Sequence, residues 1–294
     1  MKSAKGFGLS VLLSLGSTGF ADLPKNNLHL YDDLHSKATT ISEQDFNATI
    51  KKAGDLYKPI IKAQGGTLMV KGDWKDSTVN ASAMQFFGVW YVNMYGGLAR
   101  RPEVTQDGFV LVICHELGHH LGGYHFVSNW GASEGQSDYF ATHSCAKKFW
   151  ENEATENAKS RLTVNSLAKA KCDAIWKTVE KQDLCYRTVN AGKSLGDLLA
   201  KVSNAADVNF DTPDTSEVAE SDPKHPKAQC RLDTLVSGAL CVERFDENVI
   251  PGKKNGSGDN TEEAEEEAGN YSCTVKNGYT DGVRPRCWFK GLLD

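Results

Sequence analysis

The chain has 294 residues and a formal net charge of −5. A mildly acidic chain lacks the basic surface that a phosphate backbone demands, which argues against nucleic-acid binding. The length suits one substantial domain, or a domain with an appendage. No segment reaches the ~18 consecutive apolar residues of a membrane-spanning helix.

At the N-terminus Lys2 and Lys5 precede an apolar stretch from Phe7 to Leu15, and Gly19-Phe20-Ala21 has the small-x-small form of a cleavage site. Residues 1–21 therefore read as a secretory leader cut after Ala21, and the mature chain is expected to be exported, periplasmic or extracellular, without stable membrane insertion. The eight cysteines, Cys114, Cys145, Cys172, Cys185, Cys230, Cys241, Cys273 and Cys287, all follow the leader. An even count in an exported chain reads as disulfides. The close pairs Cys230/Cys241 and Cys273/Cys287 are the expected bridges. Cys114 could be a buried thiol, pair elsewhere, or touch a metal.

From Ser42 to Lys62, Phe46, Ile50, Ala53, Leu56 and Ile60 recur at helical spacing, with Ser42 and Asp45 approximating a capping signal. "TLMVKGDW" and "FFGVWYVNMY" are β-branched and aromatic and read as strands. "GFVLVICHELGHH", after Asp107, reads as a helix. Two helical stretches follow, "SEGQSDYFATHSCAKKFW" and "SRLTVNSLAKAKCDAIWKTVEKQ", then a polar loop over 205–227 and a short helix in "CRLDTLVSGALC". Residues 251–270 are acidic and poor in apolar side chains, the composition of a disordered linker. Residues 271–294 read as a small tail, a hairpin tied by cysteines. The expected architecture is α+β: a helix-rich, zincin-like domain over 22–250 with a small mixed sheet.

His115, Glu116 and His119 form H-E-x-x-H. On a helix, residues four apart share a face, so both imidazoles can hold one zinc ion, and Glu116 lies within reach of a water at the open position as general base. One zinc per chain is expected, with an exported metalloendopeptidase acting on unfolded or extended polypeptides; the oligomeric state is not legible. The third ligand has two candidates. His125 completes H-E-x-x-H-x-x-G-x-x-H, which resembles the metzincins, but those proteases carry a methionine turn downstream. Here the methionines are Met1, Met69, Met84 and Met94, all before the motif. Glu134 is the preferred ligand, because Asp138, four residues on, supplies a partner for the spare N–H of a ligating histidine. His120 points off the ligand face and reads as a residue behind the ligands or on the surface.

"SEGQSDYFA" is similar to the E-x-x-A-D segment of the HtpX and CAAX-prenyl-protease type gluzincins. "VNASA" with "FGVWYVNMYGGLA", and "HPKAQCRLDTL" from His225, resemble two further segments of that family in the same order. Serine replaces the alanine before Asp138, and the membrane helices of familiar members are missing from the sequence. The resemblance implies zinc on His115, His119 and Glu134 with Glu116 as base. It also implies a substrate edge strand at Gly88, Val89, Trp90, Tyr91 and Val92, along which an extended peptide would pair. His225 is the preferred donor to the transition-state oxyanion, with Arg231 as an alternative and Tyr124 and Tyr139 in reserve; His225 and Arg231 could equally cap a helix or pair with an acid. A cysteine-rich exported binding protein with a non-catalytic zinc site is the rival of a different class.

Overall fold

The computed structural model describes residues 21–31 and 41–293, so the expected leader lies outside it except for Ala21. Strand β1 (Ala21–Asp22) is followed by helix α1 (Glu43–Ala63), whose Ser42 cap and Asp45 form a reciprocal capping box. Strands β2 (Thr67–Asp73), β3 (Ala81–Phe86) and β4 (Val89–Tyr95) follow. Together they make a mixed sheet in the order β1-β3-β4-β2, with β2 parallel to β4 and β3 antiparallel to it. The run expected as one strand from Phe86 is broken by a two-residue turn, Phe87 (φ 46°) and Gly88 (φ 78°). Positive φ at both central positions is the geometry that favours Asn-Gly. A phenylalanine held there costs about 1–2 kcal/mol.

After the short α2 (Gly96–Ala99), α3 (Gln106–Leu121) carries the H-E-x-x-H motif. Thr105 caps it, and every residue from Gly108 to Leu121 is buried, so this is the central helix, lying between the sheet and the later helices. Then α4 (Glu134–Phe140) runs through a π-helical turn, Ala141–Cys145, into α5 (Ala146–Trp150). Helices α6 (Ala154–Lys159), α7 (Ser166–Ile175) and α8 (Val179–Val202) come next. The expected single helical stretch after Ser160 is thus interrupted, and Cys172–Cys185 ties α7 to α8. Residues 205–227 hold no helix or strand, and α9 (Ala228–Leu240) packs on α4 and α8. Among the described residues no helix is long and apolar enough to cross a membrane.

Four expectations fail here. Residues 251–270 are not a disordered linker. They form a two-stranded ribbon, β5 (Lys253–Lys254) with β6 (Ser257–Gly258), and helix α10 (Glu262–Ala268). Thr261 caps α10, glutamates occupy its positive end, and Ala264 and Ala268 bury one face beneath the charge. The tail is no separate hairpin: it joins the main body through Cys230–Cys287 and Cys241–Cys273. Both expected bridges therefore fail in their pairing, because α9 points its two end cysteines at different parts of the tail. Lastly, β4 is not an edge strand. Val89–Val92 is paired on both sides, with β3 and with β2, and Gly88 sits in the turn, so no incoming peptide can pair along it.

The fourth bridge, Cys114–Cys145, settles Cys114: it is paired, and it staples α3 next to His115 to the π-helical turn that continues α4. Four disulfides fit an oxidising, exported setting.

Candidate metal centre

Helix α4 can bring its acids to the histidines because it crosses α3 at a glycine. A Cβ on Gly118 would lie 2.8 Å from the Ser137 Cα and carbonyl oxygen, so only glycine admits this backbone approach. At the crossing Glu134 and Asp138 face His115 and His119. His115 Nε2 is 3.2 Å from His119 Nε2 and 3.3 Å from Glu134 Oε2, and His119 Nε2 is 3.6 Å from Glu134 Oε1. Ligands about 2.05 Å from a tetrahedral zinc stand about 3.3 Å apart, so the two imidazole nitrogens and the Glu134 carboxylate already outline one face of such a site. Among the described residues His115, His119 and Glu134 are the group that could hold a metal ion.

The outer contacts fix the tautomers. His115 Nδ1–H donates to Asp138 Oδ1 at 2.9 Å, and His119 Nδ1–H donates to the Ala132 carbonyl at 2.8 Å with Ser137 Oγ at 3.0 Å. Each histidine therefore turns Nε2 inward. Arg231 clasps Asp138 through Nε (2.6 Å) and Nη2 (2.8 Å), and Nη2 also stands 3.4 Å from Glu134 Oε2.

All of this is buried: Glu116, His115 and Asp138 are 0% exposed, His119 and Arg231 1%, and Glu134 5%. Three buried carboxylates thus face one buried guanidinium, and a dry interior tolerates that imbalance only with further cationic company, a protonated histidine or a bound metal. Protonation behaviour shows the same pull. Burial opposes a charge on His115, yet Asp138 and Glu134 lift its pKa to about 10. His119, with less help, is pushed down to about 4 by burial despite Glu134. Burial would raise the Glu134 carboxyl, but the hydrogen bond from His115 and the charge of His119 hold it well below the ordinary range. The donor set, the spacing and the charge excess all suit a divalent cation.

The remaining sequence candidates fall as follows. His225 comes to the cluster, its Nδ1 3.3 Å from Glu134 Oε2, and it is the member that reaches solvent, with 37% of its side chain exposed. His125 does not join the metal group: it is buried, its Nδ1 has no hydrogen-bond partner among the described residues, and its carbonyl accepts from Ser133 N. The histidine alternative for the third ligand is thereby set aside. His120 is not on the surface but stacked between Trp90 and Trp130, with Nε2 on the Tyr91 carbonyl. Tyr124 donates to Glu265 and Tyr139 to the Gly282 carbonyl, so both hydroxyls are committed to the fold.

Arg231, singled out in the sequence as an oxyanion donor or a partner for an acid, takes the second of those roles, as the clasp on Asp138. One contributor was not foreseen: the tail backs the third candidate ligand. A Cβ on Gly135 would lie 2.2 Å from the Trp288 indole, so that fully buried ring rests on the backbone beside Glu134. Arg284 adds a hydrogen bond to Gln136 Oε1. A glycine directly after a candidate ligand was the only sequence hint of such contact.

Comparison with models of known protein families, with curated proteins and with solved structures finds no match to this chain.

Proposed function

We propose that this chain is a zinc-dependent endopeptidase of gluzincin type that cleaves unfolded or extended polypeptides. The observation that carries the reading is the mutual spacing of the His115, His119 and Glu134 ligand atoms, with Glu116 buried on the same helix turn. A structural zinc site has no need of that glutamate, which counts against the binding-protein rival.

Bound zinc would act as a Lewis acid toward a water and a peptide carbonyl. Glu116 accepts the proton of the attacking water and returns it to the leaving amine. Asp138 and the Ala132 carbonyl keep the two imidazoles oriented, and Arg231 keeps Asp138 in place. His225, the solvent-reaching neighbour of Glu134, is the side chain we assign to the developing oxyanion, where one good donor is worth about 3 kcal/mol. With β4 interior, the sheet's backbone edges are β2 on one side and the uncovered part of β3 on the other, and β3 is the one that packs beside the metal-motif helix α3. Strand β1 covers it only at Ser82 and Ala83, leaving Met84–Phe86 open among the described residues.

The test is metal content and turnover together. Wild type should hold one zinc per chain after dialysis and cleave fluorogenic casein. Glu134→Ala should lose the metal while keeping the fold, and Glu116→Gln should keep the metal and lose cleavage. Cleavage that survives Glu116→Gln would sink the mechanism, and zinc retained by Glu134→Ala would sink the ligand set.

A further inference from the structure

We propose that the tip of the β3–β4 hairpin, Phe86 and Phe87, recognises apolar side chains of an extended polypeptide laid along the open edge of β3. This inference rests on the peptidase reading and names the substrate class that the same site selects.

The geometry starts at the strand's alternation. Gln85 faces α3, where its Nε2 stands 3.2 Å from His120 Nδ1, one residue from the ligand His119. This end of β3 therefore runs beside the metal helix. Met84 and Phe86 point to the opposite face. There Met84, Tyr91 and Met69 align across three strands, and Phe86, Val89 and Thr67 form the next row. On this face Thr67, Met69 and Phe86 are exposed, and Met84, Val89 and Tyr91 are only partly buried.

Phe87 extends this apolar strip into solvent. It is 91% exposed, and its ring stands against that of Phe86, with 4.3 Å between centroids. A side chain in that state buries little against its own protein, while its backbone occupies a left-handed turn position suited to asparagine. The fold thus accepts local strain to present an aromatic surface that it does not use internally.

A polypeptide is the occupant that fits both features at once. The outer backbone of Met84–Phe86 continues the ladder that β1 begins at Ser82 and Ala83, so an incoming strand can extend an existing pairing. Antiparallel pairing there would turn every second side chain of the ligand onto the Met84 and Phe86 face. A lipid surface would use the phenylalanines but leave the backbone edge idle.

The experiment uses full-length Glu116→Gln protein loaded with zinc and two fluorescein-labelled peptides, one with leucine or phenylalanine at alternate positions and one with serine there. Anisotropy should show the apolar peptide binding about tenfold tighter, the scale expected for partly burying about one such side chain. Phe86→Ser/Phe87→Asn should erase most of that preference. Asparagine suits the turn, so melting temperature and zinc content should hold and report an intact fold. A preference that survives the double variant would overturn the inference. So would a variant whose only loss is binding to phosphatidylglycerol vesicles, since that result would assign the tip to lipid. The two readings fail separately: wild type that binds the apolar peptide but cuts nothing refutes the peptidase, whereas cleavage without the preference refutes the aromatic tip.

Discussion

Replacing Arg231 by methionine tests whether the buried charges around the histidines act as one unit. The guanidinium makes two short hydrogen bonds to Asp138, at 2.6 and 2.8 Å, and neither side chain is more than 1% exposed. Methionine keeps the volume but leaves Asp138 ionised in a dry site with only His115 as partner. Breaking a buried pair from one side typically costs about 3–5 kcal/mol, against a total stability of about 5–15 kcal/mol for a domain. Urea unfolding of metal-stripped protein is the appropriate assay, because bound metal would add its own stabilisation and mask the loss. Asp138→Asn alone should also destabilise. Combined with Arg231→Met it should cost less than the two singles together, by about 2 kcal/mol, because the orphaned charge is gone. A loss below about 1 kcal/mol for Arg231→Met, or simple additivity, would refute the clasp.

The other expectations concern acid, cross-links and close contacts. His120 and His143 are buried neutral, and burial pushes each to about 3 against 6.5 in the unfolded chain. The unfolded state then binds more protons below pH 6.5, so their contribution is complete above that value and is lost as pH falls toward 3. At pH 5 each should cost about 2 kcal/mol, seen as a falling urea midpoint that His143→Phe makes shallower; an unchanged slope would refute it. Cys230→Ser with Cys287→Ser opens a loop spanning 57 residues and should remove about 4 kcal/mol, read from the melting temperature. Gly135→Ala drives a methyl into the Trp288 ring and should cost about 1–3 kcal/mol while weakening zinc retention on dialysis; a wild-type melting curve would refute the contact.

What was legible in the sequence was local. The Ser42–Asp45 cap and the apolar spacing behind it locate α1 because both act within a few residues. The four-residue spacing of His115 and His119, and again of Glu134 and Asp138, survives into the structure because one helical turn enforces it. Failures came where distant parts meet. Cysteine spacing said nothing of which tail segment would lie against each end of α9. The glutamates of α10 hid the pair Ala264 and Ala268, four apart and buried, which was the available sign of a packed helix. Phe87 looked like a strand residue because aromatic side chains favour strands, and the turn it enters overrides that preference.

The contact between Trp288 and Gly135 has a consequence for the order of events in the cell. The floor beneath Glu134 is laid by residues that leave the ribosome more than 150 positions after it, and two cross-links that form only where thiols can be oxidised hold it there. Newly made chain in a reducing cytoplasm would carry both histidines and the glutamate, yet lack the scaffold that holds them in register. On the proposed peptidase reading, hydrolytic competence would then arise late, after oxidation, and the polypeptides of a reducing compartment would be spared without any separate inhibitor.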